Sequence, residues 1–90
     1  MAKANVDPAQ LRRFARDLNR FNADLETLTG GLHSRLLGLE RSWNDQEQRR
    51  FTQEFEQTMK ALSRFMEASS QHVSFLMKKA QHVEDYLGQR

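Results

Sequence analysis

Leu39-Glu40-Arg41-Ser42-Trp43-Asn44-Asp45-Gln46-Glu47-Gln48, residues 39–48, holds the signals for the end of one helix and the start of another. Asn44 and Asp45 are favoured helix N-caps, and Glu47 and Gln48 stand three residues after them, so two overlapping capping boxes announce a helix from about residue 46. Leu39 and Trp43 end an apolar stripe that arrives from the N-terminal side, which places the end of a first helix near Ser42. The chain therefore reverses at Trp43-Asn44-Asp45. The expected fold class is all-α: a two-helix antiparallel hairpin, with helices over about 8–42 and 46–87 and a turn at 43–45, forming one domain over 1–90.

Upstream, Asp7-Pro8-Ala9-Gln10 supplies an N-cap acceptor, a proline at the first helical position, where a missing N–H costs nothing, and a glutamine placed to close a capping box. Leu11, Phe14, Leu18, Phe21, Leu25 and Leu28 then alternate steps of three and four, the seam of a helix packed on other helices. Leu32, Leu36, Leu39 and Trp43 continue it. Two successive four-residue steps between Leu28 and Leu36 form a stutter, which locally unwinds a supercoil. Gly30-Gly31 lies inside that stutter, and each glycine costs about 1 kcal/mol against alanine in a helix interior. Because the apolar face persists across them, a continuous helix with a kink is expected. The pair reads equally well as a close approach by a neighbouring helix or as tolerated flexibility.

Downstream, Phe51, Phe55, Met59, Leu62, Phe65, Met66, Val73, Leu76, Ala80, Val83 and Leu87 repeat the three/four spacing, and Phe75, Met77 and Tyr86 widen the apolar surface. Gly88 is placed as a helix stop. Helices of this length make a rod on the order of 55 to 65 Å. Its stripes are too wide for one hairpin, since Met59, Phe65, Met66 and Phe75 cannot all face a single neighbouring helix. Leu18, Phe21, Leu25 and Leu28, with Phe55, Met59, Leu62, Phe65, Met66 and Phe75, are the expected core and dimer interface. Two hairpins would close them into a four-helix bundle. With the turn centred on Asn44, residue 7 lies opposite residue 81. Val83, Tyr86 and Leu87 then project as a candidate recognition tail, to be covered by the arm around Val6, a partner subunit or a receptor.

Bulk composition agrees. Ninety residues make a single core only marginally sufficient, and the absence of cysteine removes disulfides and thiolate metal sites, leaving oligomerisation as the common support. With 29% charged residues, three valines and no isoleucine, the chain has the profile of solvated helices and lacks the β-branched content of strands. Fourteen basic against 12 acidic residues is too small an imbalance to nominate nucleic acid. Residues 1–8 carry no apolar core for a secretory signal, and no apolar run reaches membrane-spanning length. A cytoplasmic protein is expected; if exported, it would use a route that reads no cleavable signal.

No catalytic, cofactor or metal constellation is expected. His33, His72 and His82 are far apart, and without cysteine a ligand set has nothing to build on. Ser34 beside His33 is no triad, because adjacent helical residues do not face each other. His82 and Asp85 read as a surface i,i+3 pair. Arg12, Arg16 and Arg20 share a face, and the hairpin register brings Arg12 and Arg13 to the same end as Lys78 and Lys79, yet Arg13-Asp17-Arg20-Asp24 reads as an i,i+3/i,i+4 ion ladder, and no aromatics interleave for single-strand binding. Nucleic-acid binding is thus the weaker reading. Trp43 is either a large residue finishing the first stripe or a marker of the turn.

Two amphipathic helices with a lone tryptophan in Leu39-Glu40-Arg41-Ser42-Trp43-Asn44-Asp45, followed by Phe51 and Phe55, resemble the WXG (Trp-x-Gly) family of early-secreted-antigen-like hairpins of type VII secretion. The likeness covers essentially the whole chain as pattern. It implies a four-helix bundle of two hairpins, a homodimer or a heterodimer with a sister hairpin, and an exported protein, effector chaperone or adaptor that works without enzymatic activity, engaging secretion machinery or an effector. Asp45 stands where the family has glycine, and Arg90 stands where its C-terminal Tyr-x-x-x-Asp/Glu signal, counted from Tyr86, has an acid. The competing reading is a cytoplasmic coiled-coil adaptor or complex subunit unrelated to secretion.

Overall fold

In a computed structural model, which describes residues 6–88, the chain forms two helices, α1 (Pro8–Leu39) and α2 (Gln46–Gly88), packed antiparallel as a hairpin with no strand among the described residues. Asp7 holds extended backbone at the start of α1, where its side chain accepts the Ala9 N–H at 2.9 Å and its carbonyl accepts from Gln10 and Leu11. Pro8 opens the helix. The return bond from the Gln10 side chain, which a full capping box needs, is not made.

α1 ends at Leu39, three residues before Ser42. The reason is a tightened last turn: the N–H groups of Glu40, Arg41 and Ser42 donate to Leu37, Gly38 and Leu39 with three-residue spacing, at 3.3, 3.3 and 3.1 Å. Such bonds satisfy carbonyls that a terminating α-helix leaves orphaned. The Trp43 N–H then donates to the Leu39 carbonyl at 2.8 Å.

Of the two expected caps, Asp45 acts and Asn44 does not. Asp45 Oδ1 accepts the Gln48 N–H at 2.8 Å, while the Asn44 carbonyl accepts from Arg49 at 3.4 Å. The Gln48 side chain is buried and donates to Thr52 Oγ1 at 2.8 Å and Glu40 Oε2 at 3.4 Å, tying the start of α2 to the end of α1. No described residue has positive φ, so this reversal requires nothing that only glycine supplies. Aspartate serves in its place.

Through Gly30-Gly31 the helix is unbroken. A Cβ on Gly30 would meet nothing within 4 Å, and one on Gly31 would meet only the Arg35 guanidinium lying over it, so the hairpin itself makes no close approach there.

Between the helices the tightest packing falls on small and polar positions. Ala15, Asn22 and Leu36 are buried on α1, and Gln48, Ser69 and Ala80 on α2; no large side chain is fully buried among the described residues. Asn22 is 8% exposed, and neither its Nδ2 nor its Oδ1 has a hydrogen-bond partner in the chain. An unsatisfied buried polar group costs about 1–3 kcal/mol. Asn22→Leu, which keeps the branched shape of the side chain, is therefore expected to raise unfolding stability by about 1–2 kcal/mol in denaturant titration at fixed chain concentration; a decrease would show that the amide is satisfied in solution.

The molecule measures 68 × 22 × 15 Å, so it is one layer of helices thick. Its radius of gyration is 20.2 Å, against about 12 Å for a compact chain of this length. Its accessible surface is 7261 Å², against roughly 5,500 Å² for a compact monomer of the same mass.

Candidate functional surface

One broad face of the rod carries the excess apolar area. On α1 it runs through Phe14, Leu18, Phe21, Leu25, Leu28, Leu32 and Leu39, and the most solvent-exposed of these are Phe14 at 58% and Leu28 at 63%. On α2 it includes Phe51, Phe55, Leu62, Phe65 and Leu76, with Phe75 at its margin. Two grooves open on it. At the turn end a groove of about 630 Å³ is lined by Leu32, Arg35, Leu36, Gly38, Leu39, Ser42, Phe51 and Phe55. Toward the open end a second, of about 370 Å³, is lined by Phe14, Leu18, Phe65, Ser69, His72, Phe75 and Leu76. Between them Phe21 and Phe65 meet edge to face, ring centroids 6.3 Å apart.

The opposite face is polar, with a smaller groove of about 350 Å³ among Asn19, Asn22, Ala23, Glu26, Ser63, Met66, Glu67 and Ser70. The exposed apolar area is thus concentrated on one face, with Leu37, about five helical turns from Asn19, standing apart on the polar side. An exposed apolar patch of this extent marks an interaction surface.

Among the residues expected at the interface, Leu18, Leu25, Phe55, Met59, Leu62 and Met66 are half-buried between the helices, whereas Phe21, Leu28, Phe65 and Phe75 are exposed. At the turn Trp43 is half-buried and packs on Phe51 at 5.8 Å between centroids, and Phe51 stacks on Phe55 at 5.8 Å. In the projecting tail Val83 is half-buried, while Tyr86 and Leu87 are exposed. Arg90 lies outside the described residues. The buried positions Ala15, Asn22 and Ser69 escaped a reading weighted to large apolar side chains, although Ala15, Asn22, the half-buried Thr29 and Leu36 stand on one seven-residue line, the first three each one position after Phe14, Phe21 and Leu28.

The expected charge pairs are redrawn. Arg13, Asp17, Arg20 and Asp24 form no ion pair, and His82 does not pair with Asp85, which instead accepts from Gln81 at 2.9 Å. The ion pair present among the described residues joins the helices: Arg12 donates to Glu84 at 2.6 and 3.1 Å and to Gln81 at 3.2 Å. Arg12 is therefore engaged at the open end and not free to build a phosphate site with Lys78 and Lys79. Hydrogen bonding from Arg12 holds the Glu84 carboxyl below its ordinary value of 4.5. A depressed carboxylate stabilises the fold above its ordinary pKa, and that contribution disappears as pH falls through the folded value. Amide exchange around Val83 should accordingly be slower in the parent than in Glu84→Gln at neutral pH, and equal in both once the pH is below that value.

No group of three or more His, Asp or Glu residues with metal-binding geometry occurs among the described residues, and no described helix is long and apolar enough to cross a membrane.

Comparison with known proteins places this geometry. No curated protein matches the chain. Among solved structures, the secreted protein EsxB of Bacillus anthracis str. Sterne superposes with a TM-score of 0.82 at 21% identity, covering 96% of this chain and 98% of that one. A glycine-to-alanine mutant of the same protein gives 0.81 at 21% identity, covering 94% and 98%. These likenesses establish a shared hairpin fold. Over residues 3–86 the chain matches the family model described as proteins of 100 residues with WXG, and it belongs to that family, WXG100.

Proposed function

We propose that this protein is a dimeric, secretion-associated helical hairpin that acts by protein–protein interaction, without enzymatic chemistry, as an exported protein, an effector chaperone or an adaptor. The observation that carries the reading is the single-layer fold with one unpartnered apolar face, in a WXG100 chain that shares its fold with a protein described as secreted. The partner is a second hairpin, which closes Phe21, Leu28 and Phe65 into a four-helix bundle. The tail around Val83, Tyr86 and Leu87 is the segment offered to secretion machinery or an effector.

The test is export. The protein is followed by immunoblot in culture supernatant from its native host and from the same host lacking its type VII secretion ATPase. Appearance outside the cell only when the ATPase is present supports the reading. Retention inside both strains overturns export and selects the cytoplasmic adaptor. Arg90 at the acidic position of the family signal is the specific observation that favours that second reading.

A further inference from the structure

Asn19, Asn22 and Glu26 follow one another at steps of three and four along α1, and Ser63, Glu67 and Ser70 do the same on α2, so each set shares one side of its helix. The two sides meet across the groove of about 350 Å³ on the polar face, whose apolar lining is Ala23 and Met66. Asn22 lines it while only 8% exposed, which puts its side chain at the floor. There both polar atoms of its amide lack a hydrogen-bond partner, although buried polar groups are almost always paired. Glu26 and Glu67, one on each helix, are exposed and form no ion pair among the described residues. Asn22 thus costs the hairpin stability where a leucine would not, a pattern expected of a residue kept for binding.

We infer that this groove is a docking site for an arginine side chain of a partner protein. Two carboxylates, one from each helix, call for a cation that donates in two directions, and the planar guanidinium does so with five N–H groups. Asn22 Oδ1 accepts from the same group, while Nδ2 needs an acceptor, which a peptide carbonyl beside the arginine supplies and a bare cation lacks. Lysine fits less well, since its ammonium is a compact, strongly hydrated point charge. Ala23 and Met66 receive the methylene stem of the arginine. The groove is open along the surface of the rod, so it suits a side chain delivered by a larger body over an enclosed small molecule. It lies away from the apolar stripe and stays accessible when that stripe is covered. The inference deepens the protein-interaction reading above and does not depend on its dimer.

The probe is the blocked peptide acetyl-Ala-Ala-Arg-Ala-Ala-amide, titrated into the full chain at constant ionic strength and followed by amide NMR. Shifts centred on Asn22, Glu26 and Glu67 are expected, saturating at millimolar peptide, and the Asn22 side-chain amide should move with them. The same peptide with citrulline, which keeps the shape and loses the charge, should bind at least about ten-fold more weakly. Glu26→Gln/Glu67→Gln should abolish binding while leaving the hairpin folded, and Asn22→Leu should weaken it several-fold while stabilising the chain. Shifts that do not saturate, that spread equally to Glu54 and Glu56, or that persist in the double variant overturn the site. Tighter binding of free arginine than of the peptide overturns the protein partner in favour of a small molecule. Absence of binding with export intact removes the groove and leaves the proposed function standing; retention inside the cell with binding intact removes export and keeps the groove.

Discussion

Leu28→Asp is expected to raise the dissociation constant of the dimer by roughly a thousand-fold while leaving the helices of each hairpin intact at high concentration. Leu28 is 63% exposed in the hairpin, so the substitution removes little from the packing of α1 on α2. In the dimer it acts twice. Burying a leucine side chain contributes roughly 1.5–3 kcal/mol, and a carboxylate placed in the same contact adds a desolvation cost. Two copies together exceed about 4 kcal/mol, which is about three decades in affinity. Sedimentation equilibrium across a concentration series reads the change directly. Leu28→Met, which keeps volume and apolarity, serves as the control and should stay within about 1.5 kcal/mol. An unchanged dissociation constant for Leu28→Asp would place the interface elsewhere.

Trp43→Ala has the second large expected effect, and it acts on the hairpin itself. The indole is half-buried and packs on Phe51, which stacks on Phe55, so the residue locks the end of α1 onto the first turns of α2. Full burial would make its truncation cost about 3–5 kcal/mol; at half burial about 2–3 kcal/mol is expected, part of it from the aromatic pair. Denaturant unfolding at one fixed chain concentration measures it. A loss below about 1 kcal/mol would mean that the ring is held for a partner and not for the turn.

Much of this architecture is written in local chemistry. Asp7-Pro8 and Asp45 announce both helix starts because capping depends on residues a few positions apart. The apolar face is legible for the same reason: the three/four spacing from Phe14 to Leu39 defines a stripe before any tertiary contact is known. What escaped depends on the geometry between helices. The three-residue spacing that ends α1 at Leu39 differs from one more α-turn only in which carbonyls the last N–H groups reach, and composition does not set that. Ala15 and Ala80 are buried because they let two backbones approach, while the larger Phe14, one position earlier, is left facing out; a reading ranked by side-chain size reverses that order. Arg12 and Glu84, 72 residues apart, meet only once the register is set. The ladder of Arg13, Asp17, Arg20 and Asp24 stays open, as exposed i,i+4 pairs bring only a few tenths of a kcal/mol against the entropy of holding long side chains.

The turn illustrates how a family feature is kept by other means. Asp45 occupies the glycine position of the Trp-x-Gly pattern and caps α2 through its carboxylate, in a reversal where no described residue has positive φ. Glycine's conformational freedom is not what this turn uses. Trp43, Gln48 and Glu40 supply the remaining ties between the helices at that end.

In the proposed assembly a second hairpin completes a hairpin one layer thick. Sedimentation equilibrium of the unaltered protein at micromolar concentration tests it most directly. A species of twice the 10.6 kDa chain mass is expected. A stable, fully helical species at the single-chain mass would contradict it.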